Sequence, residues 1–268
     1  MPEAKPQSEI EKSFSDLLAL ITELRKRCPW DREQTAAGMA KHLIEEAYET
    51  VDALNGGEPR AVVDELGDLL VQILFQTVIA QEQRSFAIQD VIVQAREKLI
   101  RRHPHLYGSV IAGDREAVVS NWEKIKAAER AEKGAVSALD EIARSIPALM
   151  FAEKLGVRAR GAGMDWNGIG EVLQKVREEL VEAEDALHRG DVEQASREIG
   201  DLLLAAANAP RFLGRDAEGT LRAACEKFAL RFKQVEALAR DRGRDLKSMR
   251  GDEIDDLWQQ AKNARGGR

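Results

Sequence analysis

Apolar side chains recur along most of this chain at the spacing of a helix that buries one face. Residues three or four apart share a helix face, so such a stripe predicts an amphipathic helix. Eight segments carry it: residues 10–24, 39–54, 62–80, 88–99, 148–157, 172–187, 195–209 and 220–238. No segment alternates apolar and polar residues convincingly as a surface strand does, and glycine or proline turns separate the segments. The pattern predicts an all-α protein.

The same series of motifs occurs in both halves of the chain. Each half carries a Glu-Glu-x-x-Glu motif, a Glu-x-x-Asp motif, a Lys-x-x-x-Arg pair and a Trp-x-x-x-Lys pair. The first series is Glu45-Glu46-x-x-Glu49, Glu65-x-x-Asp68, Lys98 with Arg102, and Trp122 with Lys126; the second is Glu178-Glu179-x-x-Glu182, Glu198-x-x-Asp201, Lys227 with Arg231, and Trp258 with Lys262. This repetition predicts two tandem four-helix modules with acidic helical hairpins, residues 1–130 and 131–268, with a linker at about 127–147.

The acidic motifs of each half lie at equal distances from a turn. Residues 56–59 fall midway between Glu49 and Glu65, and Gly190 falls midway between Glu182 and Glu198, so a helical hairpin would bring the motifs together. Two carboxylates about 4 Å apart repel by roughly 4 kcal/mol at an effective dielectric of about 20. Protonation would relieve this, but an all-oxygen cluster without histidine is typical of Mg²⁺ or Mn²⁺ sites. An acidic run is usually only a solvated face; matched clusters in both halves favour the metal.

The later basic and aromatic residues fit a phosphate ligand that carries a base. The pairs Lys98 with Arg102 and Lys227 with Arg231 each lie on one helix face, where they could bind phosphate oxygens. A plain surface pair is the alternative for either of them. The tryptophans of the two Trp-x-x-x-Lys pairs could stack on a base, although filling the core is the more common role of such side chains.

Charge and cysteine content restrict the kinds of partner and the cellular compartment that we expect. The chain has 40 Lys and Arg against 47 Asp and Glu, a formal net charge of −7, whereas proteins that bind duplex phosphates non-specifically are usually basic. Stable nucleic-acid binding is therefore not expected. No apolar run approaches the roughly 18 residues of a membrane span, the opening Met-Pro-Glu-Ala-Lys-Pro lacks a signal-peptide pattern, and only two cysteines occur. These features predict a cytoplasmic protein without a membrane segment.

The motifs together resemble those of a known family, the MazG nucleoside triphosphate pyrophosphohydrolases, over nearly the whole chain. Besides the acidic motifs, the resemblance rests on Cys28-Pro29-Trp30-Asp31, Arg101-Arg102-His103-Pro104-His105 and Glu226-Lys227-Phe228 with Arg231-Phe232. It implies an all-α fold shared with dimeric dUTPases, a homodimer, and hydrolysis of nucleoside triphosphates to monophosphate and pyrophosphate, in nucleotide-pool housecleaning. It also implies magnesium held by Glu46, Glu49, Glu65, Asp68, Glu179, Glu182, Glu198 and Asp201, with Glu45 and Glu178 helping a second metal or orienting water.

Two positions in the second half stand out against this resemblance. Cys225 stands where the second module of related proteins tends to have an asparagine, so an amide that could contact the nucleotide is lost. Lys175, a candidate substrate-binding residue three positions before Glu178, has no lysine counterpart in the first half, where His42 stands. The lysine favours the second half as the main catalytic site.

The reaction that the resemblance implies is attack of a metal-activated water on the α-phosphorus, with pyrophosphate leaving. Glu45 or Glu178 would accept the proton. Two other functions stay open for at least one half: a nucleotide sensor that does not hydrolyse, and a helical scaffold or regulator. A di-iron bundle would need Glu-x-x-His pairs, and no histidine here has a glutamate three residues before it.

Overall fold

The computed structural model describes residues 6–110 and 113–263, so most of the N-terminal run considered above lies outside it. The described residues form helices and no strand, which confirms the all-α prediction. The α-helices are α1 (Gln7–Arg27), α2 (Pro29–Glu33), α3 (Ala36–Gly56), α4 (Pro59–Glu82), α5 (Ile88–Arg102), α6 (Pro104–Tyr107), α7 (Arg115–Glu132), α8 (Ala148–Gly161), α9 (Ile169–His188), α10 (Val192–Asn208), α11 (Ala217–Asp241) and α12 (Gly251–Asn263). Short 3-10 helices occupy Pro210–Leu213 and Leu246–Ser248.

The eight apolar stripes correspond to α1, α3, α4, α5, α8, α9, α10 and α11. Helices α2, α6, α7 and α12 lie outside the stripes. The segment at 127–147, predicted as a linker, begins within α7 and continues through turns to the start of α8. None of the described helices is long and apolar enough to cross a membrane.

The chain divides into two compact units, Met1–Trp122 and Glu123–Arg268. The division falls inside α7, ahead of the predicted border at residue 130. Each unit contains one long helical hairpin, α3–α4 in the first and α9–α10 in the second. The duplication of one module stays a prediction, but both hairpins carry the acidic motifs that suggested it.

The first unit has its core where α1 packs against the α3–α4 hairpin. Ile21 of α1, Met39 of α3 and four residues of α4 form a buried apolar group, in which Leu74 is fully buried. Local sequence sets the ends of the hairpin helices: the Thr35 hydroxyl accepts a hydrogen bond from the Gly38 amide at 3.0 Å, which caps α3. Gly57 ends α3 with a left-handed φ of 74°, a conformation that favours glycine.

Arg25 fixes the Cys-Pro-Trp-Asp segment against this core. Its guanidinium is buried, pairs with Glu82 of α4 at 2.5 Å, and donates to the backbone carbonyls of Asp31 and Gln34. A buried charge is tolerated when it is paired and fully hydrogen-bonded. The segment that carried part of the family resemblance is therefore held in place by hydrogen bonds from a buried arginine whose charge is paired with Glu82.

The second unit buries small side chains along its hairpin, and a separate apolar group forms where α11 meets α12, with Val235 and Leu257 fully buried. Ala183 and Ala186 of α9 and Ala195 and Ala205 of α10 are buried. Where α8 meets α10, Asn208 is 2% exposed and its amide donates to the Leu204 carbonyl at 2.9 Å. A β-carbon on Gly156 would lie 1.7 Å from the Asn208 side-chain oxygen; Gly156 is thus what allows the two helices to approach.

Gly67 and Gly200 lie inside the acidic motifs of α4 and α10. A glycine within a helix costs about 1 kcal/mol relative to alanine, and from the sequence alone the simplest interpretation is close approach of a neighbouring helix. That interpretation is wrong within the described residues, because a β-carbon at either position would have no atom within 4 Å. Both glycines face open space beside the acidic motifs.

We predict that Gly156→Ala destabilises the second unit by about 1–3 kcal/mol, because the new methyl group overlaps Asn208 and the packed helices must shift. Gly161→Ala is the matched control on the same helix, since nothing lies within 4 Å of its β-carbon; it should be neutral or slightly stabilising. Urea unfolding followed by circular dichroism measures both. Equal midpoints for the two variants would contradict the close contact.

Candidate metal centres

The α3–α4 hairpin brings together the carboxylates of three glutamates. Oxygens of Glu46 and Glu49 on α3 and Glu65 on α4 all lie within 4.8 Å of one another. The two helices are joined at this level by Thr50, whose hydroxyl contacts the backbone carbonyls of Glu46 at 2.7 Å and Glu65 at 3.3 Å. The predicted meeting of the two acidic motifs therefore occurs, and we name this group the first cluster.

The α9–α10 hairpin repeats the arrangement with deeper burial. Oxygens of Glu179, Glu182 and Glu198 lie within 4.8 Å of one another, and we name this group the second cluster. Glu179 is 4% exposed and Glu198 is 9% exposed, whereas no member of the first cluster is buried. Ala183 occupies the position that corresponds to Thr50 in the first unit.

The proximity of these carboxylates perturbs their ionisation. Desolvation, followed by repulsion from Asp68 and Glu49, raises the pKa of Glu46 above its ordinary value. Desolvation and then the charge of Glu49 raise the pKa of Glu65. Like charges and burial both disfavour the ionised form, and a bound cation would favour it.

In the second cluster, the pKa of one glutamate is raised in the same way. Desolvation, followed by repulsion from Glu179 and Glu198, raises the pKa of Glu182. The nearby Lys175 ammonium acts in the opposite direction and lowers it. The second cluster thus already contains a positive charge.

The remaining predicted carboxylates lie at the edges of the two groups. Asp68 is close enough to Glu46 for its charge to act on that residue, but neither Asp68 nor Asp201 belongs to the sets within 4.8 Å, and both are exposed. Glu45 contacts His42, with 2.9 Å between Oε2 and Nδ1. Glu178 contacts Lys175, with 2.6 Å between Oε1 and Nζ. The two candidate bases are therefore exposed residues next to the clusters.

The donor atoms fit a hard divalent cation. Each cluster offers only carboxylate oxygens, and Mg²⁺ or Mn²⁺ bind such ligands while keeping waters and phosphate oxygens in their remaining positions. Histidine and cysteine, which would favour zinc, take no part in either group within the described residues. The exposed member of each group, Glu49 or Glu182, leaves the cluster open to solvent on one side.

The predicted basic residues lie on other helices. Lys98 and Arg102 are on α5, and Lys227 and Arg231 are on α11. Arg102 lies over the Trp122 ring, 5.7 Å from its centroid, and the edge of His103 meets the same ring at 5.1 Å. Such a cation–π contact orients both partners.

The second tryptophan has a different environment. Trp258 packs against the buried group around Val235 and Leu257, and its ring lies 5.2 Å from that of Phe228. Trp258 is therefore partly a core side chain, as the more common role of tryptophan predicts. Lys126 pairs with Glu123 at 3.1 Å, and Lys262, like Trp258, is half-buried on α12.

Two residues near the clusters were not found from the sequence. Gln194 donates a short hydrogen bond to Glu198, and Thr50 bridges the two helices of the first hairpin. Gln194 is four residues before Glu198, so its spacing alone could have indicated a contact on the same helix face. Thr50 could not have been found in this way, because its second partner is on another helix.

Comparison with known proteins adds a consistent result. The MazG nucleotide pyrophosphohydrolase domain model matches residues 34–107, which include the whole first hairpin. The chain is 41% identical to a nucleoside triphosphate pyrophosphohydrolase of Escherichia coli K12 over 92% of this chain and 95% of that protein. It is 38% identical to the nucleoside triphosphate pyrophosphohydrolase/pyrophosphatase MazG of Thermotoga maritima over 93% of this chain and 95% of that protein. The alignments with the two relatives extend across both acidic hairpins, whereas the domain model matches only the first.

We predict that Glu65→Gln raises the melting temperature of chelator-treated protein at pH 7.5, because it removes one of several repelling charges. The pKa of Glu65 is raised from 4.5 on folding, so its contribution to stability is fully present below about pH 4.5 and is lost as the pH rises through the folded value. The gain should therefore be larger at pH 7.5 than at pH 4.5. Scanning calorimetry measures it.

The control is Glu97→Gln, which removes an exposed charge from α5 in the same unit. It should leave the melting temperature nearly unchanged at both pH values. Mg²⁺ should raise the melting temperature of the unmodified chain more than that of Glu65→Gln. A Glu65→Gln variant that is destabilised without metal would show that the first cluster is not electrostatically strained.

Proposed function

The chain belongs to the MazG nucleotide pyrophosphohydrolase family, and on this premise we propose that it hydrolyses nucleoside triphosphates to nucleoside monophosphates and pyrophosphate. The observation that carries the proposal is the pair of three-glutamate clusters, one in each hairpin. Concentrated carboxylates need a cation, and a metal-bound polyphosphate supplies both that cation and the reacting group. Clearing unwanted nucleotides from the cytoplasmic pool is the proposed role.

The residues that would hold Mg²⁺, or Mn²⁺, are those of the two clusters together with the adjacent aspartates. In the first hairpin these are Glu46, Glu49, Glu65 and Asp68; in the second they are Glu179, Glu182, Glu198 and Asp201. A bound metal supplies a water of lowered pKa and stabilises charge on phosphate oxygens. The open side of each cluster, at Glu49 and Glu182, is where we place the polyphosphate.

Side chains of the protein would accept the proton of the attacking water. Glu45 or Glu178 accepts a proton from the water as it attacks the α-phosphorus, and pyrophosphate leaves with the electrons of the broken phosphoanhydride bond. Both glutamates are exposed next to ligand positions, so they can reach a water without giving up a metal ligand. Their hydrogen bonds to His42 and Lys175 orient them.

Phosphate and base recognition is proposed for the residues on the later helices. Lysine and arginine at 98 and 102, and at 227 and 231, would neutralise phosphate oxygens, with Lys175 in the second hairpin. The Trp122 ring, flanked by Arg102 and His103, has the surroundings of a base-stacking side chain. Lys126, Trp258 and Lys262 complete the proposed set.

A homodimer is proposed because both hairpins expose apolar stripes. On α4, Val63 is 72% exposed and Leu66 is 48% exposed; on α10, Ile199 is 43% exposed and Leu203 is 58% exposed. The paired residues lie three or four positions apart, so each pair forms a continuous face. Extended exposed apolar surface marks an interaction site, and a second copy of the chain would cover it.

A non-hydrolysing sensor remains the second candidate for one half. The observation that favours it is the difference between the clusters: one has a lysine at its edge and buried glutamates, and the other has a histidine and no buried member. Two hairpins with the same motif but different charge surroundings need not share one activity.

We predict that the purified chain with Mg²⁺ converts a nucleoside triphosphate to monophosphate and pyrophosphate, resolved by ion-exchange chromatography across the common nucleotides. Glu182→Gln or Glu49→Gln should lower the rate by about 10²–10³-fold in whichever half is active, since each removes a metal ligand. Glu184→Gln is the control, an exposed glutamate on α9 outside the cluster.

The products and the variants separate the alternatives. Diphosphate plus phosphate would overturn cleavage at the α-phosphorus. Unchanged nucleotide, with Mg²⁺-dependent binding retained, would point to the sensor. If the chain neither binds nor hydrolyses nucleotides, the helical scaffold is the remaining interpretation.

We predict that the chain sediments as a dimer and that a charge on the responsible stripe shifts it towards the monomer. Val63→Lys tests the first hairpin and Leu203→Lys tests the second, because a lysine on an apolar interface must be desolvated. Val136→Lys is the control, since Val136 is 98% exposed outside both hairpins. Sedimentation equilibrium measures the masses; a monomeric unmodified chain would refute the proposed homodimer.

A further inference from the structure

Lys175 already occupies the carboxylates of the second cluster. Its Nζ lies 2.6 Å from Glu178 Oε1 and 2.7 Å from Glu179 Oε1. Glu179 is 4% exposed, and a buried carboxylate is stable only with a charged or hydrogen-bonding partner. A lysine ammonium is charged at neutral pH, and here it donates to both carboxylates.

The other buried glutamate of the second cluster also has a partner. Gln194, one turn earlier on α10, donates a hydrogen bond to Glu198 Oε1. Both buried members are therefore satisfied by groups of the chain itself. A divalent cation that binds Glu179 and Glu198 has to compete with an ammonium and an amide.

The first cluster has neither competitor. His42 stands where Lys175 would be, and its Nδ1 contacts Glu45, which is outside the three-glutamate group. Ala61 stands at the position that corresponds to Gln194. Across the part of the chain that the structure describes, no lysine or arginine forms an ion pair with Glu46, Glu49 or Glu65.

We propose that Lys175 acts as an internal counter-ion that competes with a divalent cation for the second cluster, so that without nucleotide the first cluster binds the metal more tightly. The inference rests on the proposed metal binding and extends it to unequal sites. Lys175 is a positioning residue in this role, because it acts on the metal through Glu179.

The exchange has a simple electrostatic basis. An ammonium held by two carboxylates makes charge-assisted hydrogen bonds, which are the stronger class. Metal entry must break the contact to Glu179, and the cost reduces the apparent affinity. The first cluster pays no such cost, and its higher exposure lets water relax around the entering ion. Removal of the ammonium should therefore strengthen metal binding by roughly 10-fold or more.

The test is a Mn²⁺ titration of the full-length protein without nucleotide, read by the loss of the free-ion electron paramagnetic resonance signal. Glu49→Gln disables the first cluster and so reports the second; Glu182→Gln does the reverse. In the Glu49→Gln background, Lys175→Met should tighten Mn²⁺ binding roughly 10-fold or more. In the Glu182→Gln background, the same substitution should have no effect.

A reciprocal exchange gives a second, independent readout. His42→Lys places a lysine three residues before Glu45 and four before Glu46, the spacing that Lys175 has to Glu178 and Glu179. In the Glu182→Gln background it should weaken Mn²⁺ binding to the first cluster. Lys247→Met, which removes a lysine from a separate 3-10 helix of the second unit, controls for the general loss of positive charge.

The outcomes separate this inference from the proposed function. Mn²⁺ affinity that Lys175→Met leaves unchanged or weakens, with circular dichroism confirming a folded chain, overturns the counter-ion role even if nucleotides are hydrolysed. No Mn²⁺ binding by any variant overturns both. Tighter binding in Lys175→Met supports the inference even if no nucleotide is hydrolysed, because the titration does not depend on turnover.

Discussion

Three carboxylates held within 4.8 Å repel one another strongly, and each hairpin of this chain holds such a group. The repulsion acts directly on the seam between two helices, so it must be opposed by packing on the other faces of those helices. In the first unit the opposition comes from the large apolar side chains that α1 places against α4. In the second it comes from the Lys175 ammonium, which contacts Glu179, and from closely packed alanines and the contact of Asn208 with Gly156. In each unit, packing away from the carboxylates thus holds the two hairpin helices together against this repulsion.

The sequence predicted those features that depend on spacing along one chain. Helical stripes predicted eight of the helices, although not the 18-residue α7, and the equal distance of Glu49 and Glu65 from a turn predicted their meeting. Features that depend on contacts between helices were not predicted. The open surroundings of Gly67, the fit of Asn208 against Gly156 and the bridge from Thr50 to α4 depend on helix separation and rotation. Short helices such as α2 were missed because five residues are too few to display a period.

The two halves share motifs but not the chemistry around them. Thr50, Ala61 and His42 of the first hairpin correspond to Ala183, Gln194 and Lys175 of the second. Each exchange changes a hydrogen bond or a charge within reach of a glutamate. The second cluster can be buried because it contains its own donors, whereas the first has fewer donors and stays more exposed. Identical motif positions therefore do not make chemically equivalent clusters, and a repeated motif predicts common geometry more safely than common activity.

The contacts of Glu179 and Glu198 also bear on how a newly synthesised chain matures. Because Lys175 and Gln194 satisfy both side chains, α9 and α10 can pack completely while no metal is available. The carboxylates of the second cluster are then in place before the proposed metal binds, and chelation should leave the hairpin intact. Many small metal-binding domains, in contrast, are unfolded until the ion binds. With such an internal cation, folding of the second hairpin does not depend on the supply of metal in the cell.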